Sequence, residues 1–592
     1  MICNIRKKFL LLVFAAAFIG IAIYFYELPT VENHTPLSGG QKILHSELAN
    51  KYLPPKNGDQ SFNNDDEESR KKEVFEMFQQ KEKTKYLLTE TAPNEVKNGA
   101  GDFKFEHNPT ETSQIINQTL WEWLNTDESG KQEGEARSNY YCREKEDIAS
   151  GAEGQVVKGF MLEHVHVVIR HGDRSPIYSL PRYGSAILDC YSNYSKQPDE
   201  KIFRDYLSYM QTVWEVLSPG THGAKFGLFP RNKKCEGAQL TPKGVLQHLK
   251  NGEFLRKIYV KKLRLFTRVD IHSKVVVRTT DYTRTYQSAL AFAYGFIPDF
   301  DYFKLKIKFS RLTNFCSKQF TQFKCECKTL TRLQNAIEEE YSNRSRSSKL
   351  HNEIKQELAD IFDVETGRLP WIAAVLDVVM GNYCHGRSLP CLKKKHYHRN
   401  NNREHRNNDH DLEDEEYDES RQNNDKNPNP AHCVTPDLVS RMWKFLDYHG
   451  RSSLTSYPTI KSARLAMHPL LTEIYGRMQN VTKSSEKSKF YLYSGHDTTI
   501  AQLKTALGIS NGIWPPYASR LIFELYSGRQ ELKKYYFIRV LYNGKDVTQN
   551  LIFCKNKPTP HGLCPLDYFK NFCQFESLKA YGTTDYTTAC QI

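Results

Sequence analysis

The sequence predicts an α/β protein with a mostly parallel sheet, on three observations. Short apolar runs alternate with stretches of helical spacing, the pattern of strands joined by crossover helices. Three of the runs, "EHVHVVIR" (163–170), "KVVVR" (274–278) and "KFYLYSGHD" (489–497), end abruptly in charged or titratable residues. Two later runs, "SRLIFELYS" (519–527) and "YYFIRVLYNGKDV" (535–547), are spaced to meet at a turn.

At the N-terminus, Arg6, Lys7 and Lys8 precede an apolar run from Phe9 to Tyr26. As a helix, these eighteen residues span about 27 Å, enough for a hydrocarbon core. The run ends in aromatic residues that suit a membrane interface, and no small-x-small cleavage site follows. Residues 1–8 are expected to be a cytosolic tail and 9–26 a single-pass signal anchor, with the bulk of the chain on the far side of the membrane. Residues 27–150 read as a largely disordered polar stem. Their stretch "NGDQSFNNDDEESRKKE" has too few apolar groups to offset the entropy of ordering it.

Cysteine usage agrees with a non-cytosolic location. Of fourteen cysteines only Cys3 precedes the apolar run, and thirteen lie from Cys142 onward. An oxidising compartment would pair most of them, and the odd number leaves at least one unpaired or intermolecular. No paired C-x-x-C spacing points to zinc, and no metal or cofactor is expected. Five N-x-S/T sequons, at Asn33, Asn117, Asn193, Asn343 and Asn480, fit the secretory pathway.

Residues 160–592 carry the ordered domain. "LTPKGVLQHLKNGEFLRKIYVKKL" (240–263) places Val245, Leu249, Phe254, Leu255 and Ile258 on one broad helical face. Thr241 is its expected N-cap and Pro242 its first residue. A second helix is expected in "YTRTYQSALAFAYGF" (282–296) and a third from Thr498. The stretch 393–430 opens basic and His-rich, turns acidic, then Asn-rich, and reads as a disordered insertion in a surface loop.

The formal net charge is +13, which favours anionic partners. No zinc-finger spacing or aromatic RNA-binding signature is present, so nucleic acid is not an expected partner. The charge that matters is local. In open α/β sheets, ligands sit outside the carboxyl ends of the strands. Neighbouring strands ending at Arg170 and His171, at Arg278, and at His496 and Asp497 would gather cations, imidazoles and one carboxylate around a single crevice. Arg174 is near enough in sequence to join them, and Gly172 would let the backbone turn sharply beside His171. Guanidinium forks match phosphate oxygens, a histidine with one free ring nitrogen can attack phosphorus, and a nearby acid can protonate the leaving oxygen. Asp497 suits that acid role, with an anionic substrate keeping it protonated.

"RHGDRSP" (170–176) and "SGHD" (494–497) resemble the paired motifs of the histidine acid phosphatase family. The helix at 240–259, with Gly244, Gln247, Gly252, Arg256 and Tyr259, the segment "RTTDYTRT" (278–285), and "YASRLIFELY" (517–526) resemble further family segments. The resemblance covers about 160–592 and implies a histidine-phosphatase, phosphoglycerate-mutase-like fold with a smaller helical cap. It implies His171 as nucleophile, Arg170, Arg174, Arg278 and His496 as phosphate ligands, and Asp497 as proton donor. Arg284 is expected to brace the fold. The aspartate after the second histidine favours phosphatase over mutase.

Segments such as "GVLQHLKNGEFLRKIYVKKLRL" and "AYGFIPDFDYFK" resemble a Golgi branch of the family acting on phosphorylated xylose of the proteoglycan linkage region. The expectation is a Golgi membrane protein with a lumenal catalytic domain, a phosphorylated glycan as substrate, and a Golgi glycosyltransferase as partner. Two alternatives stand beside it. One is an acid phosphatase for an inositol phosphate, a phosphopeptide or a lipid phosphate. The other is a catalytically silent Golgi binding protein.

Overall fold

The computed structural model describes residues 130–592, apart from 156–157, 191–199, 231–233, 268–269, 317–324, 393–431 and 531–532. The expected tail, anchor, nearly all of the stem and the 393–430 insertion lie outside the described residues. Among the described residues, no helix is long and apolar enough to cross a membrane.

The sheet grows from runs of β-branched and aromatic residues whose neighbours point to opposite faces. Its strands are β1 (Met161–Arg170), β2 (Val275–Thr280), β3 (Lys306–Ser310), β4 (Phe490–Gly495), β5 (Arg520–Gln530), β6 (Lys533–Tyr542), β7 (Lys545–Asp546) and β8 (Cys564–Pro565). They are ordered β3-β2-β4-β1-β5-β6-β7, with β8 beside β6. The strands β3, β2, β4 and β1 are mutually parallel. From β5 onward the sheet is antiparallel, and β5 and β6 form the expected hairpin. The sheet is therefore mixed, and its parallel half carries the three runs that end in charge. Strand β3 carried no strong sequence signal.

Both faces of the parallel half are covered, so its strands are apolar on both sides. On one face Val165, Val167, Ile169, Val275, Val277, Phe490 and Leu492 pack against helices α3 (Pro242–Leu255) and α4 (Thr283–Phe296). On the other, Val168, Val276, Tyr491 and Tyr493 pack against α9 (Tyr457–Thr482) and α10 (Asp497–Ala506). Helix α2 (Lys201–Glu215) adds a further layer outside α3 and α4.

Thr241 caps α3 as expected, accepting the Gly244 N–H at 3.2 Å. The α-helix stops at Leu255, and Arg256–Lys262 continue as a π-helical turn.

A second apolar cluster forms the helical cap, from α6 (Lys349–Phe362), α7 (Ile372–Tyr383) and α8 (Pro436–Ser452), preceded by α5 (Lys328–Ser347). Helix α1 (Gly130–Cys142) belongs to this cap. Ser138 accepts the Trp443 indole N–H at 2.9 Å, Arg137 pairs with Asp447 at 2.9 Å, and Cys142 is bonded to Cys384. The folded body thus begins no later than residue 130, and the stem boundary expected at 150 moves accordingly.

Six disulfides join Cys142–Cys384, Cys190–Cys235, Cys316–Cys325, Cys327–Cys590, Cys391–Cys433 and Cys554–Cys564. Cys573 is the odd thiol, buried and held protonated by that burial.

The turn after β1 is seated by a backbone-to-backbone contact. A Cβ on Gly172 would lie 2.3 Å from the Gly244 carbonyl oxygen, and one on Gly244 would lie 2.2 Å from that of Asp173. Gly172 is required by this close approach to α3, and not by the sharp backbone turn expected from the sequence. Gly172→Ala should destabilise the fold by about 1–3 kcal/mol and lower turnover more than stability alone explains, because His171 moves with the displaced backbone. Chemical denaturation followed beside activity checks both effects.

Candidate active site

The strand ends are neighbours. Arg170 lies opposite Gly495 in the β1–β4 ladder, and Thr279 opposite Ser494 in the β2–β4 ladder. The His171 N–H donates to the Gly495 carbonyl at 3.0 Å, and the His171 carbonyl accepts from the Ala518 N–H at 3.1 Å. The backbone of His171 is therefore fixed on both sides.

Its ring is fixed as well. Nδ1 lies 2.8 Å from the Gly172 carbonyl oxygen. A carbonyl only accepts, so Nδ1 carries the proton and Nε2 keeps its lone pair. Burial, together with the Arg284, Arg170 and Arg174 guanidinium groups and His496, holds the imidazole well below its ordinary value. The imidazole is thus neutral and oriented, the state that a nucleophilic histidine requires.

Arg170 is fully buried. It donates to the Pro515 carbonyl and to the Tyr141 hydroxyl at 3.1 Å, lies 4.3 Å over the Tyr517 ring, and pairs with Asp497 at 3.0 Å. Arg174 pairs with Asp377 of the cap at 2.9 Å. Arg284, at the second position of α4, donates towards His496 Nδ1 at 3.4 Å. Its own ionisation falls to about 10, through burial and the nearby Arg174.

His496 is held from the other side. Nε2 donates to Thr280 Oγ1 at 2.9 Å, and Thr280 donates in turn to Thr285 Oγ1 at 2.9 Å. Burial and Arg284 push its ionisation down. Among the described residues, the buried Nε–H groups of Arg170, Arg174 and Arg284 have no acceptor. The same holds for Arg256 and Arg464 away from this site, so it is the convergence of the three guanidinium groups on His171 that suits the place to an anion.

Asp497 opens helix α10, one residue earlier than the sequence suggested, with His496 as N-cap. Burial would raise its carboxyl, but Arg170 and Arg174 outweigh that and hold it below the usual carboxylate range. Its carboxyl is therefore ionised beside these two guanidinium groups, and the expected protonation is one that an anionic substrate would bring about. A phosphate entering among the arginines would take up their charge and release Asp497 to gain a proton.

The structure brings together Arg170, His171, Arg174, His496 and Asp497, and leaves out Arg278. On β2, Arg278 shares its face with Val276, on the α9 side of the sheet. There it pairs with Glu473 and donates to the Phe315 carbonyl at 2.9 Å. The expected roles of Arg278 and Arg284 are exchanged: Arg278 braces the fold and Arg284 faces the two histidines. A helix N-terminus lies at the carboxyl end of the sheet, and that placement of Arg284 was the available signal. Tyr141 and Asp377 were missed because one sits in the supposed stem and the other on a cap helix. Among the described residues, no group of three or more His, Cys, Asp or Glu is placed to hold a metal ion.

The family model described as "Histidine phosphatase superfamily (branch 2)" matches residues 161–543. The chain is 33% identical over 462 residues to 2-phosphoxylose phosphatase 1 of Homo sapiens, covering 76% of this chain and 85% of that protein. It is 30% identical over 459 residues to 2-phosphoxylose phosphatase 1 of Xenopus tropicalis, covering 76% and 82%. Among solved structures, the apo form of Hafnia alvei phytase matches with a TM-score of 0.40 at 16% identity, over 74% of this chain and 100% of that one.

Arg284→Ala should lower kcat/KM by on the order of 10²–10³ with the fold intact. Arg278→Ala should instead strip buried Glu473 of its ion-pair partner and cost about 3–5 kcal/mol of stability; steady-state kinetics and thermal melts separate the two. Because His171 lies well below 6.5, it is already neutral there, and kcat/KM should not show the decline on acidification through pH 6.5 that an ordinary imidazole nucleophile would give. Removing the Arg284 charge raises the His171 pKa, so the acid limb of the Arg284→Ala profile should move to higher pH.

Proposed function

The chain belongs to the histidine phosphatase superfamily, branch 2, and is a phosphoric monoester hydrolase; from that premise we propose that it acts in the lumen of the Golgi through a phosphohistidine. We further propose that it removes the 2-phosphate from xylose in the glycosaminoglycan–protein linkage region. The observation that carries the mechanism is the neutral His171 Nε2 set among the guanidinium groups of Arg170, Arg174 and Arg284.

Arg170, Arg174, Arg284 and His496 hold the phosphate. His171 Nε2 attacks phosphorus, and the P–O bond to the sugar breaks. The leaving oxygen takes the proton that Asp497 gained once the phosphate engaged Arg170 and Arg174. Asp497, again a carboxylate, then draws a proton from water. The water oxygen bonds to phosphorus, the P–N bond breaks, and His171 is restored with inorganic phosphate released. No step calls on a metal.

The substrate reading is supported by the names of the relatives that match at 30–33% identity. The lumenal reading is supported by six disulfides. Anchoring by residues 9–26 and association with a Golgi glycosyltransferase belong to the same proposal.

The test is phosphate release by the full-length chain from an aryl phosphate and from an oligosaccharide carrying 2-phosphoxylose, beside His171→Ala. Release from both, abolished in the variant, is the expected result. Release from the aryl ester alone would keep the chemistry and discard the glycan.

A further inference from the structure

Beyond the phosphate pocket, the residues after Arg174 run along cap helix α7. Arg174 Nη1 pairs with Asp377 Oδ1 at 2.9 Å, and the Ile177 N–H donates to Asp377 Oδ2 at 2.7 Å. One residue further, the Tyr178 ring meets that of Trp371, the N-cap of α7, edge to face at 6.1 Å and 74°. Asp377 therefore ties the phosphate-binding guanidinium and this aromatic pair into one continuous edge. Trp371 is 58% exposed and Tyr178 37%. Large aromatic residues are buried more often than not, and here two stand open next to the residues that hold Arg174.

We propose that Trp371 and Tyr178 form a platform on which a sugar ring of the substrate stacks while its neighbour delivers the phosphate to His171. The proposal rests on reading the pocket as a glycan phosphatase site. A pyranose presents a flat face of C–H bonds, whose slightly positive hydrogens suit the negative face of an indole, while its hydroxyl rim stays in water. An exposed two-ring edge supplies such a face. It does not supply the enclosed apolar groove that a lipid chain would need.

Distance selects which sugar it serves. Trp371, the N-cap of α7, stands six positions before Asp377, which places the platform about 9 Å along the helix axis from the Arg174 contact. That lies beyond the ring carrying the phosphate, so the platform meets the next ring in the chain. Trp371 is joined to the phosphate site only in steps, through Tyr178 and the contacts of Ile177 and Arg174 with Asp377, so in this proposal it sets specificity and takes no part in the chemistry.

The test uses the full-length protein in detergent and two readouts. In kinetics, Trp371→Ala should raise KM for an oligosaccharide bearing 2-phosphoxylose by about tenfold and leave kcat, and all constants for an aryl phosphate, unchanged. Trp371→Phe should restore most of the loss. Equal effects on both substrates, or none on the oligosaccharide, would overturn the platform.

The second readout is saturation-transfer NMR with an unphosphorylated oligosaccharide containing an internal xylose. Transfer seen with the unaltered protein and lost in Trp371→Ala supports the platform even if no sugar phosphate is hydrolysed, a result that would sink only the functional reading. Transfer that persists in the variant, or is absent from the unaltered protein, overturns the platform itself.

Discussion

Positive charge confined out of water is the constraint to which the rest of the structure answers. Arg170, Arg174 and Arg284 surround two imidazoles at the carboxyl end of the sheet, and each pair among them repels. Such a cluster persists only when every guanidinium is gripped by something else. Asp497, Tyr141 and the Pro515 carbonyl grip Arg170, and Asp377 grips Arg174. The same crowding of positive charge suits the site to a dianion.

One cap helix does much of this holding. Along α7 and just past its end lie Asp377, which fixes Arg174, Cys384, which ties down α1, and His385, which reaches Asp173 at 2.7 Å. Asp173 also accepts the Thr241 hydroxyl at 2.6 Å, so the cap, the turn after β1 and the start of α3 meet at one carboxylate. Burial opposes its charge, but His385, Lys243 and Thr241 keep it ionised. The cap and the sheet are thus joined by charge as well as by apolar packing, at the point where the site is built.

Much of this was legible in the sequence wherever one physical signal was strong. The three strands ending in charge, the Thr241–Pro242 start of α3, the β5–β6 hairpin and the odd cysteine all follow from local pattern. So does the meeting of Arg170, His171, Arg174, His496 and Asp497, since parallel strands order their ends alike. Failures came where a residue's direction, and not its type, decides. Arg278 and Arg284 are chemically identical and six apart. Only strand alternation, which turns Arg278 towards Glu473, and the start of α4, which presents Arg284 to His496, tell them apart. Contacts distant in sequence, such as Tyr141 with Arg170 or Asp377 with Arg174, leave no periodic trace. The need for Gly172 arose from a neighbour seventy-two residues away, at Gly244.

The Cys391–Cys433 bond closes the chain across the segment 393–431, and Cys327–Cys590 joins the same two portions a second time. Doubling the length of chain between two bonded ends costs only roughly 0.6 kcal/mol, so these two bonds would hold the body together whatever the number of residues between Cys391 and Cys433. A peptide bond cut anywhere within that segment would yield two polypeptides, one bearing His171 and the other Asp497, that remain covalently one molecule. Such nicked protein would migrate as a single species until a reductant separated its halves.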